Sequence, residues 1–333
     1  MVYLKQIVMK NILSILITLF SLTANATIFG FNQTHMMNTL TDNKCVIIWE
    51  NVQRIITEIP EERRQVIRWP GGTEANFYNC EMWGYSVQEE DSKWGRNSVN
   101  ALSSFIDVSM MVKWEVIPVL NLYEEYLNPD LTAERERQNM LLIERIFKAG
   151  IKIPYIELGN ELNIWVDKSK LKNSDYNRDK ANYDREIKRY YDISLKYYKL
   201  IKAKYPNIKI AAVYCDNRNA RDKAWQAVFK KGPWEGLVIH HYEESNNEKD
   251  WVTNLTRMKK HCTDAKKEML LTEWAWKLGP SITSAAYRKN ASSPLLEKYN
   301  TISWDIISKL KIEVACFHRI NGIGSHKYNY LQF

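Results

Sequence analysis

The chain has 333 residues, of which 45% are hydrophobic and 26% are charged, and its formal net charge is +8 at pH 7. This length fits one substantial hydrophobic core better than two small domains. Lysine and arginine are spread along helical stretches such as Lys196 to Lys204 and are interspersed with acidic residues over the chain. That pattern is typical of a solvated surface and argues against a nucleic-acid groove.

The first 26 residues predict a secretory signal peptide. Two lysines precede an apolar run from Ile12 to Leu22, and Ala24-Asn25-Ala26 forms a small-residue cleavage site. The apolar run is about half of the roughly 20 residues that a membrane-spanning helix needs, so a transmembrane anchor is the weaker interpretation. We therefore expect residues 1–26 to be removed and residues 27–333 to form one secreted or periplasmic domain that is not held in a membrane.

The five cysteines show no short spacing of the kind that metal sites use. They are Cys45, Cys80, Cys215, Cys262 and Cys316. Cys215 and Cys316 lie in apolar, strand-like runs, and we expect buried thiols there. Cys45 or Cys262 could form a disulfide in an oxidising compartment, but the sequence does not identify a partner for either.

Short runs rich in Val, Ile and Leu alternate with amphipathic stretches of helical period from Thr27 onward. The predicted strands are Ile28 to Phe31, Val66 to Trp69, Val116 to Leu122, Tyr155 to Leu158, Ile208 to Tyr214, Leu237 to Tyr242, Met269 to Trp274 and Val314 to His318. The predicted helices lie near Cys45 to Glu58, Ser98 to Lys113, Ala133 to Lys148, Arg185 to Lys204, Ala220 to Lys230, Trp251 to Cys262 and Tyr299 to Lys311.

Eight strands alternating with seven helices predict an α/β protein with a closed (β/α)8 barrel, also called a TIM barrel, in a single domain. A doubly wound sheet is less favoured because it usually has fewer strands and a glycine-rich first turn, and no such motif follows any strand. The last helix is expected to be short or missing, because the segment 321–333 after the eighth strand has room only for a short helix or an extended tail.

Two glutamates follow the ends of predicted strands. Strand four leads into Gly159-Asn160-Glu161, and strand seven ends in Thr272-Glu273-Trp274. The carboxyl ends of barrel strands form the rim where active sites are built, so Glu161 and Glu273 are expected to face each other there. Glycosidic cleavage uses such a pair, separated by about 5–5.5 Å in retaining enzymes and about 6.5–9.5 Å in inverting ones. We expect the shorter separation.

A structural explanation competes with this one, because a single glutamate at a strand end often pairs with an arginine or caps a helix. Two glutamates on strands four and seven, one preceded by Asn160 and the other followed by Trp274, favour a catalytic pair.

Several motifs carry a resemblance to a known group of enzymes. They are Phe29-Gly30-Phe31-Asn32, Arg68-Trp69-Pro70-Gly71-Gly72-Thr73, Gly159-Asn160-Glu161, His240-His241-Tyr242 and Thr272-Glu273-Trp274. The chain resembles clan A of the glycoside hydrolases, and within it the arabinofuranosidase-like branch, which has relatives acting on xylosides and glucuronides. The resemblance implies a retaining glycoside hydrolase, without a cofactor or metal, that acts on an oligosaccharide or polysaccharide.

The resemblance also implies individual roles. Glu161 would be the acid/base and Glu273 the nucleophile, while Asn160 would donate a hydrogen bond to the sugar 2-hydroxyl and Arg68 would contact Glu273. A salt bridge at the barrel mouth is the alternative for Arg68 and is compatible with that role.

Further sugar contacts are expected among the aromatic residues and histidines of the rim. Tyr242 would position the nucleophile through its hydroxyl. Because neighbouring strand residues alternate in direction, one of His240 and His241 faces the barrel, and we favour His241 or Tyr242 as a sugar contact. Trp274 is the preferred stacking platform. Other rim candidates are His35, His318, Trp69, Trp83, Trp165 and Trp276.

Two other functions remain open at this stage. A metal-dependent barrel hydrolase would use His35, His240, His241 and His318 with Glu273, but it leaves the pair Asn160 and Glu161 unexplained. A degenerate barrel that binds glycans without cleaving them is the third hypothesis. An acidic polysaccharide would suit the positive charge, although net charge alone does not select a substrate. The sequence specifies neither the sugar nor the oligomeric state.

Overall fold

A computed structural model of the chain describes residues 27–32, 46–81, 101–164, 180–215, 220–243, 247–276 and 294–318. For residues 294–300 only the backbone is described. The predicted signal peptide and the predicted short final helix lie outside these ranges. Within them, no helix has both the length and the apolar character that crossing a membrane requires.

All eight predicted strands are present. They are β1 (Ile28–Asn32), β2 (Val66–Trp69), β3 (Glu115–Pro118), β4 (Tyr155–Leu158), β5 (Lys209–Val213), β6 (Gly236–Glu243), β7 (Glu268–Trp276) and β8 (Val314–His318). The prediction was too long for β3 and, by one residue at each end, for β5. After Pro118 only Val119 still pairs, in an isolated bridge, before the chain enters a short helix that the sequence analysis did not include.

Each predicted helix is also found, with shifted ends. The α-helices are α1 (Trp49–Glu58), α2 (Leu102–Val112), α3 (Tyr123–Leu127), α4 (Thr132–Lys148), α5 (Lys180–Lys204), α6 (Ala220–Phe229), α7 (Glu248–Asp264) and α8 (Pro294–Lys309). The additional short helix is α3. In the described part of the chain, 3-10 turns cover Glu61–Arg63, Gly72–Asn76 and Pro129–Leu131.

The strands form one parallel eight-stranded sheet in the order β3-β2-β1-β8-β7-β6-β5-β4. The seam between β3 and β4 is closed by a parallel bridge between Val119 and Glu157, in which the Leu120 amide donates to the Glu157 carbonyl at 3.0 Å. Gly30 allows β1 to approach β2, because a Cβ atom at Gly30 would lie 1.8 Å from the carbonyl oxygen of Val66. The predicted single (β/α)8 barrel is confirmed.

The hydrophobic core has two layers. A small cluster fills the barrel interior and consists of Val66, Ile117, Tyr155, Ala211, Val238, Leu270, Val314 and Cys316. A much larger cluster packs between the sheet and the helices and contains most of the buried tryptophans. Cys215 and Cys316 are buried, as predicted, and Cys80 and Cys262 are buried as well. Cys45 lies outside the described residues.

Strand β7 contains an irregularity that sets the direction of the side chains after it. Its register with β6 pairs Leu271 with Ile239 and then Glu273 with His240, so Thr272 is an extra residue on β7. Such a β-bulge changes which face of the sheet the following side chains point to. Glu273 consequently points into the mouth of the barrel, while Trp274 points toward the helices.

Candidate active site

Arg68 is the centre of a fully buried polar cluster at the carboxyl ends of the strands. Its Nε and Nη2 donate to the two carboxylate oxygens of Glu157 at 2.7 and 2.5 Å. Its Nη1 donates to Oδ1 of Asn32 at 2.8 Å and to Oε1 of Glu273 at 2.7 Å, and its Nη2 also donates to Oδ1 of Asn160 at 2.8 Å. These contacts match the five N–H donors of a guanidinium group and fix its position.

Glu273 is a buried carboxylate surrounded by donors and positive charge. Beside the contact with Arg68, its Oε2 accepts a hydrogen bond from the Tyr242 hydroxyl at 2.6 Å, and Nδ1 of His318 lies 3.9 Å away. Burial by itself would raise the pKa of the Glu273 carboxyl, but the charges of His240, Arg68 and His318 outweigh burial and lower this pKa to about 2. Glu273 is therefore ionised at neutral pH.

Glu161 lies close to Glu273 but in a more open environment. Its side chain is 29% exposed, against 5% for Glu273. One carboxylate oxygen of each glutamate and one ring nitrogen of His240 lie within 4.8 Å of one another. The two carboxyl groups thus differ in access to solvent, as expected of a pair in which one exchanges protons and the other stays ionised.

His240 is a member of the site that the sequence analysis left without a specific role. Its Nδ1 lies 3.2 Å from Oε1 of Glu161 and 3.7 Å from Oε2 of Glu273. Burial by itself would lower the pKa of His240, but Glu273 and Glu161 raise it above its ordinary value. Its position could have been found from the period of two along a strand, because His240 and Tyr242 must share a face.

His241 lies on the opposite face of β6. Its ring stacks on Trp251 of α7 with 5.3 Å between the centroids, and its Nε2 lies 3.3 Å from Oε2 of Glu243. It also lines a cavity beside the site. Of the two residues predicted as sugar contacts, Tyr242 therefore reaches the glutamates, and His241 does not.

The segment between β4 and Glu161 places Asn160 against the cluster. Gly159 has φ +86° and Glu161 has φ +47°, so the backbone turns sharply on both sides of Asn160. Because Oδ1 of Asn160 accepts from Arg68, its Nδ2 points elsewhere, and among the described residues this buried donor has no acceptor.

Trp274 does not form a stacking platform, contrary to the sequence prediction. Its side chain is fully buried, and its ring centroid lies 5.0 Å from those of Trp304 and Phe317 and 5.8 Å from that of Trp251. The bulge at Thr272 directs it into the layer between the sheet and the helices, where no sugar can reach it.

Of the other rim candidates, two are buried, one lies at the site and three lie outside the described residues. Trp69 and Trp276 are fully buried in the same layer as Trp274. His318 lies at the site, where its Nδ1 is 2.6 Å from Nδ2 of Asn32. The remaining candidates, namely His35, Trp83 and Trp165, lie outside the described residues.

A cavity of about 630 Å³ opens beside Glu161 and His240. It extends past the ends of β5 and β6 to side chains of α6 and α7. A volume of this size is typical of pockets that bind small ligands, which occupy about 300–1,000 Å³.

Glu161, His240 and Glu273 are also the group among the described residues that could hold a metal ion. Both oxygens of Glu273, however, already accept hydrogen bonds, one from the guanidinium of Arg68 and one from Tyr242. A divalent cation would have to share Glu273 with the buried charge of Arg68, which it would repel. His241, a further ligand in the metal hypothesis, points away from the group. The donor set therefore fits proton transfer better than metal binding.

No protein-family profile and no curated protein sequence matches this chain. Solved structures do match it in fold. A glucosidase from Croceicoccus marinus is 12% identical with a TM-score of 0.55, and the match covers 92% of this chain and 62% of that one. A thermostable α-L-arabinofuranosidase from Thermotoga petrophila is 17% identical with a TM-score of 0.51, covering 88% and 63%.

A β-glucuronidase from Bacteroides uniformis is 10% identical with a TM-score of 0.54, covering 88% of this chain and 30% of that one. The chain thus spans less than two thirds of the length of each of these three enzymes. At these identities the likeness concerns the fold. The chain shares its (β/α)8 barrel with an arabinofuranosidase, a glucosidase and a glucuronidase, and at the level of the fold the resemblance predicted from the sequence motifs is confirmed.

Proposed function

We propose that this protein is a retaining glycoside hydrolase that cleaves an oligosaccharide or polysaccharide by double displacement. Glu273 is the nucleophile and Glu161 is the acid/base. The observation that carries the proposal is the pairing of a buried, ionised Glu273 with a partly exposed Glu161 whose carboxylate oxygen lies within 4.8 Å.

In the first step, the ionised carboxylate of Glu273 attacks the anomeric carbon while protonated Glu161 gives its proton to the departing oxygen. The glycosidic C–O bond breaks, and an ester bond forms between the sugar and Glu273. In the second step, Glu161 removes a proton from water, the water oxygen attacks the anomeric carbon, and Glu273 is released as a carboxylate. Each glutamate returns to its starting protonation state.

The neighbours of Glu273 fit this sequence of steps. Arg68 and Tyr242 hold one carboxylate oxygen each, which orients the nucleophile before the sugar arrives. The amide nitrogen of Asn160 is fixed by the contact of its Oδ1 with Arg68 and remains available to donate to a sugar hydroxyl, as the family resemblance implies for the 2-hydroxyl.

The separation of the carboxylates supports retention of configuration. One carboxylate oxygen of each glutamate lies within 4.8 Å of an oxygen of the other, which is compatible with the separation of about 5–5.5 Å between the carboxyl groups of retaining enzymes.

The test compares wild type with Glu161→Gln and Glu273→Gln on a panel of aryl arabinofuranosides, xylosides, glucosides and glucuronides, with the exposed Glu62→Gln variant as control. We expect Glu273→Gln to lose turnover of every substrate. In Glu161→Gln, the rate of the first step should stay close to that of wild type only for substrates whose aryl leaving group needs little protonation. Proton NMR of the first product formed should show the anomeric configuration of the substrate.

Full activity in either active-site variant, or an inverted first product, would contradict the proposal. Glycan binding without turnover, unchanged in Glu273→Ala, would favour the glycan-binding barrel instead. Activity lost with a chelator and restored by zinc would favour the metal-dependent hydrolase. Export belongs to the same proposal, and N-terminal sequencing of the exported protein should find residue 27 first.

A further inference from the structure

The cavity beside the site lies on one side of the two glutamates. Glu161 and His240 line it, whereas Glu273 does not. In the proposed function, on which this inference rests, the sugar that is attacked must touch Glu273, and the group that leaves must touch Glu161. The cavity therefore receives the leaving-group side of the substrate.

Two arginines also line this cavity. Arg221 is in the first turn of α6 and Arg257 is on α7, and both side chains are partly buried. The nearby carboxylates of Asp222 and Glu243 are buried and do not line the cavity. Among the described residues, Arg221 and Arg257 are therefore the charged side chains of α6 and α7 that an occupant of this cavity would meet.

The two buried carboxylates have structural partners that explain their position. Asp222 accepts from Nε of Arg221 at 3.2 Å and so holds that side chain at the cavity wall. Glu243 accepts from Nδ2 of Asn254 at 3.1 Å. Partly buried arginines bind carboxylate or sulfate groups strongly, because their planar donors can form two parallel charge-assisted hydrogen bonds.

Basic side chains continue beyond this cavity. A second cavity of about 500 Å³ shares Tyr214 with the first and is lined by Lys223, Lys230, Lys231 and His261, with Asp264 as its acidic residue. The positive lining thus continues along the groove between α6 and α7, toward the C-terminal ends of the two helices.

We propose that the leaving-group side of the substrate carries an anionic group, a uronic acid carboxylate or a sulfate ester, which Arg221 and Arg257 bind. The substrate class is therefore an acidic oligosaccharide or polysaccharide. Neutral glycans would fill the same space without using the two guanidinium groups.

The test measures binding by calorimetry on wild type and on Glu273→Gln, with trigalacturonate, xylotriose and a sulfated xylotriose as probes. We expect at least one acidic probe to bind about 10-fold or more tightly than xylotriose. Arg257→Gln should weaken binding of that probe by about 10-fold and leave binding of xylotriose unchanged, because a charge-assisted pair is lost. Arg257→Lys should retain part of the affinity, since it keeps the charge but not the planar donors.

Arg257 is the main test site because Arg221→Gln could also disturb Asp222, and thermal unfolding of each variant verifies its fold. The control is Arg54→Gln, which removes an arginine paired with Glu58 on the surface of α1 and so lowers the net charge equally. Equal binding of acidic and neutral probes, or equal losses in the Arg257 and Arg54 variants, would overturn the inference.

The two proposals fail separately. Arginine-dependent binding of an acidic probe by a protein that hydrolyses no glycoside would refute the proposed function and leave this inference standing. Hydrolysis of neutral glycosides that is unchanged by substitution of either arginine would support the proposed function and refute this inference. Preference for trigalacturonate over sulfated xylotriose, or the opposite, identifies the carboxylate or the sulfate as the anion.

Discussion

One buried cation organises the residues of the candidate site. Burial by itself would lower the pKa of Arg68, but the carboxylates of Glu157 and Glu273 raise it above its ordinary value, so the guanidinium stays charged. A buried charge is tolerated only where its hydrogen-bonding groups have partners, and Arg68 has them in Asn32, Asn160 and the two glutamates. The nucleophile and the amide beside it are thus positioned by the same side chain.

The hydroxyl of Tyr242 provides the other contact to Glu273. Tyr242→Phe removes only a donor 2.6 Å from Oε2. Since a hydrogen bond to a charged group contributes about 1.5–3 kcal/mol, we expect kcat to fall about 10- to 100-fold. Steady-state kinetics on one aryl glycoside measures this effect.

The matched control is Tyr155→Phe, which removes the same atom at the other end of the barrel, where it donates to Glu268 at 2.9 Å. This change should affect the unfolding free energy and leave kcat within about twofold, because it is remote from the chemistry. Equal losses of kcat in the two variants would mean that Tyr242 acts on the fold and not on the nucleophile.

The lowered pKa of Glu273 has a consequence for stability against acid. A carboxyl group with a pKa of about 2 in the folded protein and about 4.3 when unfolded stabilises the fold above the unfolded value. This contribution is lost as the pH falls from about 4.3 through 2. His240 remains cationic over that range, because its pKa is raised above the ordinary value.

We therefore expect the unfolding free energy of wild type to exceed that of Glu273→Gln by an amount that shrinks between pH 5 and pH 2. The change is on the order of 3 kcal/mol, since each pKa unit corresponds to about 1.4 kcal/mol. Urea titrations at several pH values measure it, and the exposed Glu62→Gln variant should differ little from wild type throughout. A difference that does not depend on pH would show that Glu273 has no lowered pKa.

At the scale of the elements, the sequence contains the information for the strands because each is a short apolar run between helical stretches. It does not contain the bulge in β7. Strict alternation from Leu270 would place Trp274 inside the barrel, whereas the extra residue Thr272 arises from the register with β6 and reverses that direction. The pairing of Arg68 with Glu157, 89 positions apart, is likewise invisible, because hydrophobic periodicity does not identify partners for buried charges.

The direction that the bulge gives to Trp274 can be tested by substitution. Trp274→Phe keeps an aromatic ring but removes part of a buried side chain, and we expect it to lower the unfolding free energy by about 1–3 kcal/mol. KM should change less than twofold, because the ring contacts Trp304 and Phe317 and no part of the cavity. An increase in KM without a loss of stability would indicate that Trp274 contacts the sugar, as the sequence analysis predicted.

At the scale of the whole molecule, the site and the closure of the barrel depend on the same contact. Strands β3 and β4 share only one bridge in the described sheet, between Val119 and Glu157. The side chain of Glu157 also accepts two hydrogen bonds from Arg68 on β2, so this pair joins two strands that lie on either side of β3. The ion pair that orients the nucleophile thus also holds the seam together.

Glu157→Gln should therefore loosen the seam as well as the site. Removing one partner of a buried ion pair costs about 3–5 kcal/mol, and we expect hydrogen exchange to accelerate in peptides covering residues 115–120 and 155–158. Peptides from β6 and β7 should exchange as in wild type until global unfolding contributes. The control, Glu268→Gln, removes a carboxylate that binds Tyr155 and Lys209 at the opposite end of the barrel, and it should leave residues 115–120 unchanged. Faster hydrogen exchange to the same extent in all strands of Glu157→Gln would show that the ion pair stabilises the whole fold and not the contact between β3 and β4 in particular.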